Sequence, residues 1–264
     1  MSAGLSLRFL GTGTSAGVPM IGCRCETCTS ADPRDRRSRC SVVVTHGETS
    51  VLVDTTPELR LQCVDNDVTD IDAVVFTHPH ADHIAGLDDL RRFNALKGTS
   101  LDLWADAQTH GTLSRMFPYA FLKPGEGSPK LFRPSLVART IDGPFEIGEM
   151  RWTPVRYPHS NVDALGFRVD VGGRSLAYCT DCNAMPTEAR EHLRGLDLLV
   201  IDALQWRKHP THLTIDEALE VVDDLQPART LFTHMSHEVL FERDAPKLPE
   251  GVAFAVEGML ADIS

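Results

Sequence analysis

Short apolar runs recur along the whole chain, and most have the length and composition of β-strands. These runs are LSLRFL, SVVVTH, SVLVDT, DAVVFT, SLDLWA, RWTPVRY, LGFRVDV, RSLAYCT, LDLLVID and RTLFTH. In four other segments apolar residues recur at intervals of three and four, which predicts amphipathic helices: DHIAGLDDLRRFNAL, AQTHGTLSRMF, PTEAREHLRG and IDEALEVVDDLQ. Because strands and helices alternate in both halves, we predict an α/β fold with layered sheets and helices.

The strand and helix pattern has one irregular interruption. The stretch Leu122–Ser135, LKPGEGSPKLFRPS, is rich in Pro and Gly and predicts an exposed excursion or lid rather than a linker between domains. We therefore expect one domain that spans residues 1–264.

Composition and charge exclude some classes of partner. The chain is 42% hydrophobic and carries a formal charge of −11, so we expect a globular protein without the long basic surface that nucleic acids require. The short basic cluster Arg34, Arg36, Arg37 and Arg39 predicts a solvated loop, although guanidinium groups could also orient a phosphorylated ligand. Neither a membrane-spanning run nor a signal peptide is recognisable, which predicts a cytoplasmic protein without a membrane partner.

The highest concentration of potential metal ligands lies in the segment HPHADH, which follows the apolar run DAVVF. Its members His78, His80, Asp82 and His83 are residue types that bind divalent metals. A His-x-His pair on an extended segment places both imidazoles on one side, and the Asp-His pair then opens a helix. A surface turn with incidental histidines is the alternative, but the clustering favours a metal site.

Further candidate residues occupy the ends of later strands. His159 follows RWTPVRYP, Asp181 follows RSLAYCT, Asp202 ends LDLLVID, and His234 ends RTLFT. In layered α/β proteins the strand ends and their loops converge on one edge of a sheet. These residues are therefore expected to meet the HPHADH segment in space.

The order of these residues resembles that of the metallo-β-lactamase superfamily, whose hallmark His-x-His-x-Asp-His is matched by HPHADH. The resemblance implies an αββα sandwich with two metals. It also implies ligand sets of His78, His80 and His159 for one metal, and of Asp82, His83 and His234 for the other, with Asp181 bridging them.

A group of cysteines lies near the N-terminus. Seven cysteines are an odd number, and three of them crowd into CRCETC, which fits metal binding better than a disulfide framework. Buried reduced thiols are the alternative. The segments GTGTSAGVPMIGCRCETC, HLT and FTHMSH resemble the phosphodiesterase branch typified by the cyclic phosphodiesterase of the carbon–phosphorus lyase pathway. That resemblance implies one structural zinc held by Cys23, Cys25, Cys28 and His237.

A glycine pattern in the same region imitates a dinucleotide-binding motif. Gly11, Gly13 and Ala16 match G-x-G-x-x-A, but the following GVPMIGC has no helical period. We predict a tight loop that could offer backbone N–H groups to a phosphate.

Residue spacing and the family resemblance give different predictions for His212. Spacing alone favours a surface histidine beside a helix that Thr214 caps with Glu217, whereas the resemblance implies a general acid or substrate ligand. Asp202 is predicted to orient His212 or a metal-bound histidine, with a buried strand-end carboxylate as the alternative. His46, His110, His192 and His209 are expected to be solvent-facing or incidental, and Cys40, Cys63, Cys179 and Cys182 to be packing residues.

Together the residues and the resemblance predict a dinuclear phosphodiesterase for a small cyclic phosphodiester, for which a phosphoribosyl cyclic phosphate is the precedent. Zinc or manganese would occupy the pair, Asp82 would also orient the nucleophile, and a homodimer is implied. The alternatives are a tRNA 3′-processing endonuclease, which an acidic chain without a basic Gly-rich arm fits poorly, a thioester or lactam hydrolase, and a non-catalytic metal-bound sensing protein.

Overall fold

Two seven-stranded sheets form the centre of the part of the chain that the computed structural model describes, residues 4–122 and 132–263. The first sheet contains β1 (Leu5–Gly11), β2 (Ser41–His46), β3 (Thr49–Val53), β4 (Ala73–Val75), β5 (Leu101–Ala105), β6 (Leu136–Thr140) and β14 (Leu260–Ile263). The second contains β7 (Phe145–Ile147), β8 (Met150–His159), β9 (Val162–Val171), β10 (Arg174–Cys179), β11 (Leu198–Asp202), β12 (Thr230–Thr233) and β13 (Val252–Phe254).

The spatial order of the strands is β14, β1, β2, β3, β4, β5, β6 in one sheet and β13, β12, β11, β10, β9, β8, β7 in the other. The strands β3 to β6 are parallel, as are β10 to β13, whereas β1 pairs antiparallel with both β2 and β14. The predicted excursion Leu122–Ser135 falls largely on residues 123–131, which lie outside the described residues.

The helices cover the outer faces of both sheets. They are α1 (Leu59–Asp65), α2 (Ala81–Ile84), α3 (Arg91–Lys97), α4 (Ala107–Met116), α5 (Thr187–His192), α6 (Ile215–Leu225) and α7 (Phe241–Asp244), with short 3₁₀ turns at Thr27–Thr29, Pro33–Asp35, Leu87–Leu90, Pro118–Phe121 and Ala245–Lys247. The helix, sheet, sheet, helix layering confirms the predicted αββα sandwich.

Three apolar clusters hold these layers together. In β3, Val51 and Val53 pack between the sheets, while Leu52 faces the helices on the opposite side. In β11, Leu198 and Val200 face inward and Leu199 packs under helices. Both faces of each strand are therefore buried, which explains why these runs are continuously apolar rather than alternating.

The long predicted helix DHIAGLDDLRRFNAL is broken into α2, a 3₁₀ turn and α3. The break occurs at Gly86, where a Cβ atom would clash with the carbonyl oxygen of Thr56. A close approach from a distant part of the chain thus interrupts a helix that local periodicity favours.

The basic cluster is only partly the solvated loop that the sequence suggests. Arg37 is fully buried and donates from Nη1 to the carbonyl oxygens of Ser236 (3.0 Å) and Val239 (2.9 Å), while its Nη2 pairs with Asp35 at 3.1 Å. The prediction of a solvated loop is wrong for this residue. Its guanidinium group fixes the loop that follows β12, because five donors can satisfy several carbonyls at once.

The glycine-rich segment forms the predicted loop, without a following helix. The backbone N–H of Gly13 donates to the carbonyl of Ser38 (2.7 Å), and that of Thr14 to the carbonyl of Met235 (3.3 Å). These two amides are therefore engaged within the protein and are not available to a phosphate.

Candidate active site

The strands that carry the predicted ligands end at the same edge of the structure. The strand β4 leads to His78, β8 ends at His159, β10 leads to Asp181, and β12 leads to His234. The helix α2 begins directly after His80 and carries Asp82 and His83 in its only turn, as predicted. Residues far apart in sequence thus form one site because equivalent strand ends coincide.

One group of ligand atoms contains three histidines. Nε2 of His78 lies 3.0 Å from Nδ1 of His80, and Nε2 of His159 lies 3.2 Å from the same Nδ1 atom. These nitrogens all lie within 4.8 Å of one another. We call His78, His80 and His159 the histidine cluster.

A second group combines two histidines with two carboxylates. Nε2 of His83 lies 3.4 Å from Asp82 Oδ2 and 3.2 Å from Asp181 Oδ2, and Nε2 of His234 lies 3.2 Å from Asp181 Oδ1. We call Asp82, His83, Asp181 and His234 the mixed cluster, whose ligand atoms also converge within 4.8 Å.

Asp181 lies between the two clusters. Its Oδ1 atom is 3.5 Å from Nε2 of His159 and 3.9 Å from Nε2 of His78, in addition to its contacts with the mixed cluster. This carboxylate therefore has the position that a bridging ligand requires.

The donor set fits cations. The Nε2 atoms of His83 and His234 are buried and lie 3.2 Å from Asp181 oxygens, but they form no hydrogen bond with any residue in 4–122 and 132–263. Burial holds the pKa of His78 well below its usual range, which keeps this imidazole neutral and able to act as a ligand. Divalent cations would satisfy these buried atoms, and the two clusters would hold them separately with Asp181 shared.

In the described part of the chain, the carboxylates around the clusters have only histidines as charged partners. The carboxylates of Asp54, Asp82, Asp181 and Asp202 pair with histidines, and none of them pairs with a Lys or Arg among the described residues. Burial raises the pKa of Asp181, but the neighbouring His234 and His83 outweigh it and hold that pKa well below its usual range. Four carboxylates without a Lys or Arg partner among the described residues suit the binding of cations.

Asp54 supports the mixed cluster and was not identified from the sequence. Its Oδ2 atom accepts a hydrogen bond from Nδ1 of His83 (2.7 Å) and from Oγ1 of Thr77 (2.7 Å), and its Oδ1 atom accepts from the backbone N–H of Thr77 (2.9 Å). A carboxylate behind a ligating imidazole fixes its tautomer and orientation. The only signal was a polar residue at the end of the run SVLVD, shared with many strands that have no site.

Three of these residues adopt left-handed backbone conformations. Asp54, Asp181 and His234 have φ angles of 64°, 54° and 61°. Asp and His tolerate this region better than most residues, and the conformation costs on the order of 1 kcal/mol or more. Each turns the chain sharply at a strand end so that the side chain points over the sheet edge.

His212 lies beside the clusters with a carboxylate behind it. Its Nδ1 atom is 2.8 Å from Asp202 Oδ2, and its ring stacks on His234 with centroids 4.5 Å apart. Burial lowers the pKa of His212, but the Asp202 charge and hydrogen bond outweigh it and raise the pKa to about 9. The side chain is buried rather than a surface group, and its orientation by Asp202 is as predicted.

The predicted structural zinc ligands also converge. Nδ1 of His237 lies 3.3 Å from Sγ of Cys23 and 3.3 Å from Sγ of Cys25, and Cys28 completes a set within 4.8 Å. Burial raises the pKa of Cys25, but the N–H of Cys28 and the ring of His237 outweigh it and lower that pKa to about 6, whereas burial and the other thiols raise the pKa of Cys28 to about 11. Because three adjacent thiolates repel one another, a tetrahedral zinc fits this set.

Comparison with known proteins agrees with this geometry. Residues 49–235 match the beta-lactamase superfamily domain. Over 259 residues the chain is 32% identical to a protein named octanoyltransferase from Porphyromonas gingivalis; the match covers 97% of this chain but only 51% of that protein. The chain thus spans about half the length of this relative.

Two solved structures have the same fold over nearly the whole chain. A diphosphatase from the PhnP family is 37% identical, with a TM-score of 0.89 and coverage of 98% of both chains. Zinc-bound PqqB from Methylobacterium extorquens is 20% identical, with a TM-score of 0.79 and coverage of 98% of this chain and 100% of the other. Within the described part of the chain, no helix has the length and apolar character needed to span a membrane.

Proposed function

This chain belongs to the metallo-β-lactamase superfamily of metal-dependent hydrolases, and on that premise we propose that it hydrolyses a small phosphodiester. The position of Asp181 between two clusters of ligand atoms carries the proposal, because phosphoester hydrolysis uses paired cations to stabilise attacking and leaving oxygens. The 37% identity to a diphosphatase supports a phosphorus substrate over a carbonyl substrate.

The clusters assign separate roles to the residues. The histidine cluster would hold one divalent ion and the mixed cluster a second, with zinc and manganese both compatible with these donors. When bound, the ions supply Lewis-acid activation of water and of the phosphoryl group. Asp82, which is partly exposed, accepts a hydrogen bond from the attacking water and orients it.

We assign His212 to the departing oxygen, opposite the attacking water. Against the effect of burial, Asp202 raises the pKa of His212 to about 9, which favours the protonated imidazole, and it holds the Nδ1 proton, which leaves the Nε2–H free. That N–H donates its proton to the departing oxygen as the phosphorus–oxygen bond breaks. The imidazolium also stabilises negative charge that develops there.

The substrate that we favour is a small cyclic phosphodiester such as a phosphoribosyl cyclic phosphate, since the chain is acidic and offers no long basic surface for RNA. A diphosphate diester is the second candidate, supported by the identity to the PhnP-family diphosphatase. Both substrates present a phosphorus that bears one negative charge and one leaving oxygen.

A substrate panel tests the proposal. Protein loaded separately with zinc and manganese is assayed on a five-membered cyclic ribose phosphate, a diphosphate diester, a precursor tRNA and an octanoyl thioester. We expect hydrolysis of one or both small phosphoesters, with turnover lost in the Asp181→Asn variant. Cleavage of the tRNA or thioester alone would contradict the proposal, and turnover of no substrate by metal-loaded protein would favour a sensing role.

A further inference from the structure

A row of three histidines leads from the candidate metal centre towards the surface. The ring of His212 lies 4.5 Å from that of His234 and 5.3 Å from that of His209, measured between centroids. His234 belongs to the mixed cluster, and His209 is partly exposed. A group that departs past His212 therefore meets His209 next.

The loop that carries His209 is basic, but its long side chains are engaged. Arg207 pairs with Glu238 and Lys208 pairs with Glu217, and both side chains are mostly exposed. His209 forms no ion pair among the residues that the structure describes. In this loop it is thus the residue whose ring remains available to a ligand.

The backbone fixes which nitrogen of His209 carries the proton. The N–H of Thr211 donates to Nδ1 of His209 over 3.4 Å, and the Thr211 hydroxyl lies 3.3 Å from the same atom. Because Nδ1 acts as an acceptor, the proton of the neutral ring resides on Nε2. The carbonyl of Thr211 in turn lies 3.1 Å from Nδ1 of His159, which ties this loop to the histidine cluster.

We propose that His209 is a specificity-determining residue that donates its Nε2–H to a second phosphate in the leaving group of the substrate. This inference rests on the proposed function and selects diphosphate diesters within it. It assigns a role to a histidine that sequence spacing indicates is merely solvent-facing.

Hydrolysis of a diphosphate diester would bring a second phosphate to His209. In hydrolysis of a diphosphate diester, the water oxygen bonds to one phosphorus, the bond from that phosphorus to the bridging oxygen breaks, and the bridging oxygen leaves on the second phosphate. The attacking water loses a proton to solvent, the departing phosphate takes its proton from Nε2 of His212, and solvent then reprotonates that imidazole. In a cyclic phosphodiester the leaving oxygen is an alkoxide on the same product, and no phosphate passes His212.

Substrate discrimination provides the test. Values of kcat/KM are measured for diadenosine diphosphate and for bis(p-nitrophenyl) phosphate. The metal-loaded proteins compared are wild type, His209→Ala and His209→Gln. His192→Ala, which changes an exposed histidine on α5, is the control. The kcat/KM for diadenosine diphosphate, divided by that for bis(p-nitrophenyl) phosphate, should fall by about tenfold in His209→Ala, as expected for one hydrogen bond to a charged group. His209→Gln, which keeps an N–H at a similar reach, should recover most of the ratio.

The outcomes separate this inference from the proposed function. An unchanged ratio in His209→Ala, with both esters hydrolysed by wild type, would overturn the role of His209 and leave the phosphodiesterase intact. Equal loss in His209→Gln and His209→Ala would show that the ring only supports the loop, and would also overturn it. Failure of wild type to hydrolyse diadenosine diphosphate would overturn the role of His209, and the phosphodiesterase proposal would fall with it only if the cyclic ribose phosphate is also left intact.

Discussion

The hydroxyl of Tyr157 donates a hydrogen bond to the carbonyl oxygen of Thr180 over 2.7 Å. This bond joins β8, which ends at His159, to the turn that holds Asp181 in its left-handed conformation. Space for the phenol ring exists because β9 has glycine at position 166, where a Cβ would lie 2.8 Å from Cε1 of Tyr157. One buried hydroxyl thus couples a ligand of the histidine cluster to the carboxylate between the clusters.

Replacing Tyr157 by Phe should weaken metal binding more than it disturbs the fold. Loss of one buried hydrogen bond costs about 1 kcal/mol of unfolding free energy, and a displaced supporting contact lowers metal affinity by about tenfold. Isothermal titration of metal-free protein measures the affinity. Tyr119→Phe removes a hydroxyl that donates to Asp88 and serves as the control; equal affinities in both variants would refute the coupling.

Asp181→Ala should abolish phosphodiester hydrolysis, since Asp181 is the carboxylate within 3.9 Å of both clusters. We expect turnover to fall by more than about 100-fold, beyond the range seen when only a supporting group is removed. Asp181→Asn tolerates the left-handed backbone and separates ligand loss from strain. Full metal content and full activity in both variants would rule out the bridging position.

Asp54→Asn should impair the mixed cluster selectively. The amide keeps the shape of the side chain but replaces one oxygen behind His83 with a donor, so affinity for one of the two ions should fall by about 10- to 100-fold. Competitive metal titration resolves the two sites. Uniform weakening of both ions would show that Asp54 acts through the fold as a whole.

His212→Ala should affect substrates according to their leaving group. Alkyl esters need a proton at the departing oxygen and should lose about 100-fold or more, whereas p-nitrophenyl esters leave without one and should lose less. Because the protonated form is required and the pKa lies at about 9, wild-type activity on alkyl esters should fall as the pH rises through about 9. If the His212→Ala variant shows the same fall in activity at alkaline pH, His212 is not the general acid.

Cys25→Ser should release about one zinc per chain and lower the melting temperature by several degrees. The thiolate set holds the N-terminal loop to His237, three residues beyond His234, so activity should fall indirectly. This ion should also resist mild chelation that empties the two clusters. Cys63→Ser, which changes a buried cysteine outside the set, should keep its zinc; identical zinc content in all three proteins would contradict the assignment.

The sequence was informative where local spacing and strand ends carry the chemistry. The candidate ligands in HPHADH and at the ends of β8, β10 and β12 were predicted because polar residues stand out at the ends of apolar runs, and the structure brings these side chains together. The capping box of Thr214 and Glu217 was likewise found, since it depends on residues three apart.

Features that depend on distant contacts were missed. Asp54 supports the site only through its hydrogen bond with His83, which lies 29 residues later in the chain. Arg37 is buried against carbonyl groups of the loop that follows β12. The break at Gly86 needs the carbonyl of Thr56. The strands β6, β7, β13 and β14 are the edge strands of the two sheets, and their partly exposed residues give no continuous apolar run.

The pairing of β1 with β14 has a consequence during synthesis on the ribosome. Residues Leu5 to Arg8 find their outer partners only in Leu260 to Ile263, so one edge of the first sheet stays open until almost the whole described chain has emerged. His234 and His237 also appear late. The nascent chain therefore exposes the open edge of β1 before the candidate ligands His234 and His237 are available, and we expect late truncations to be prone to aggregation.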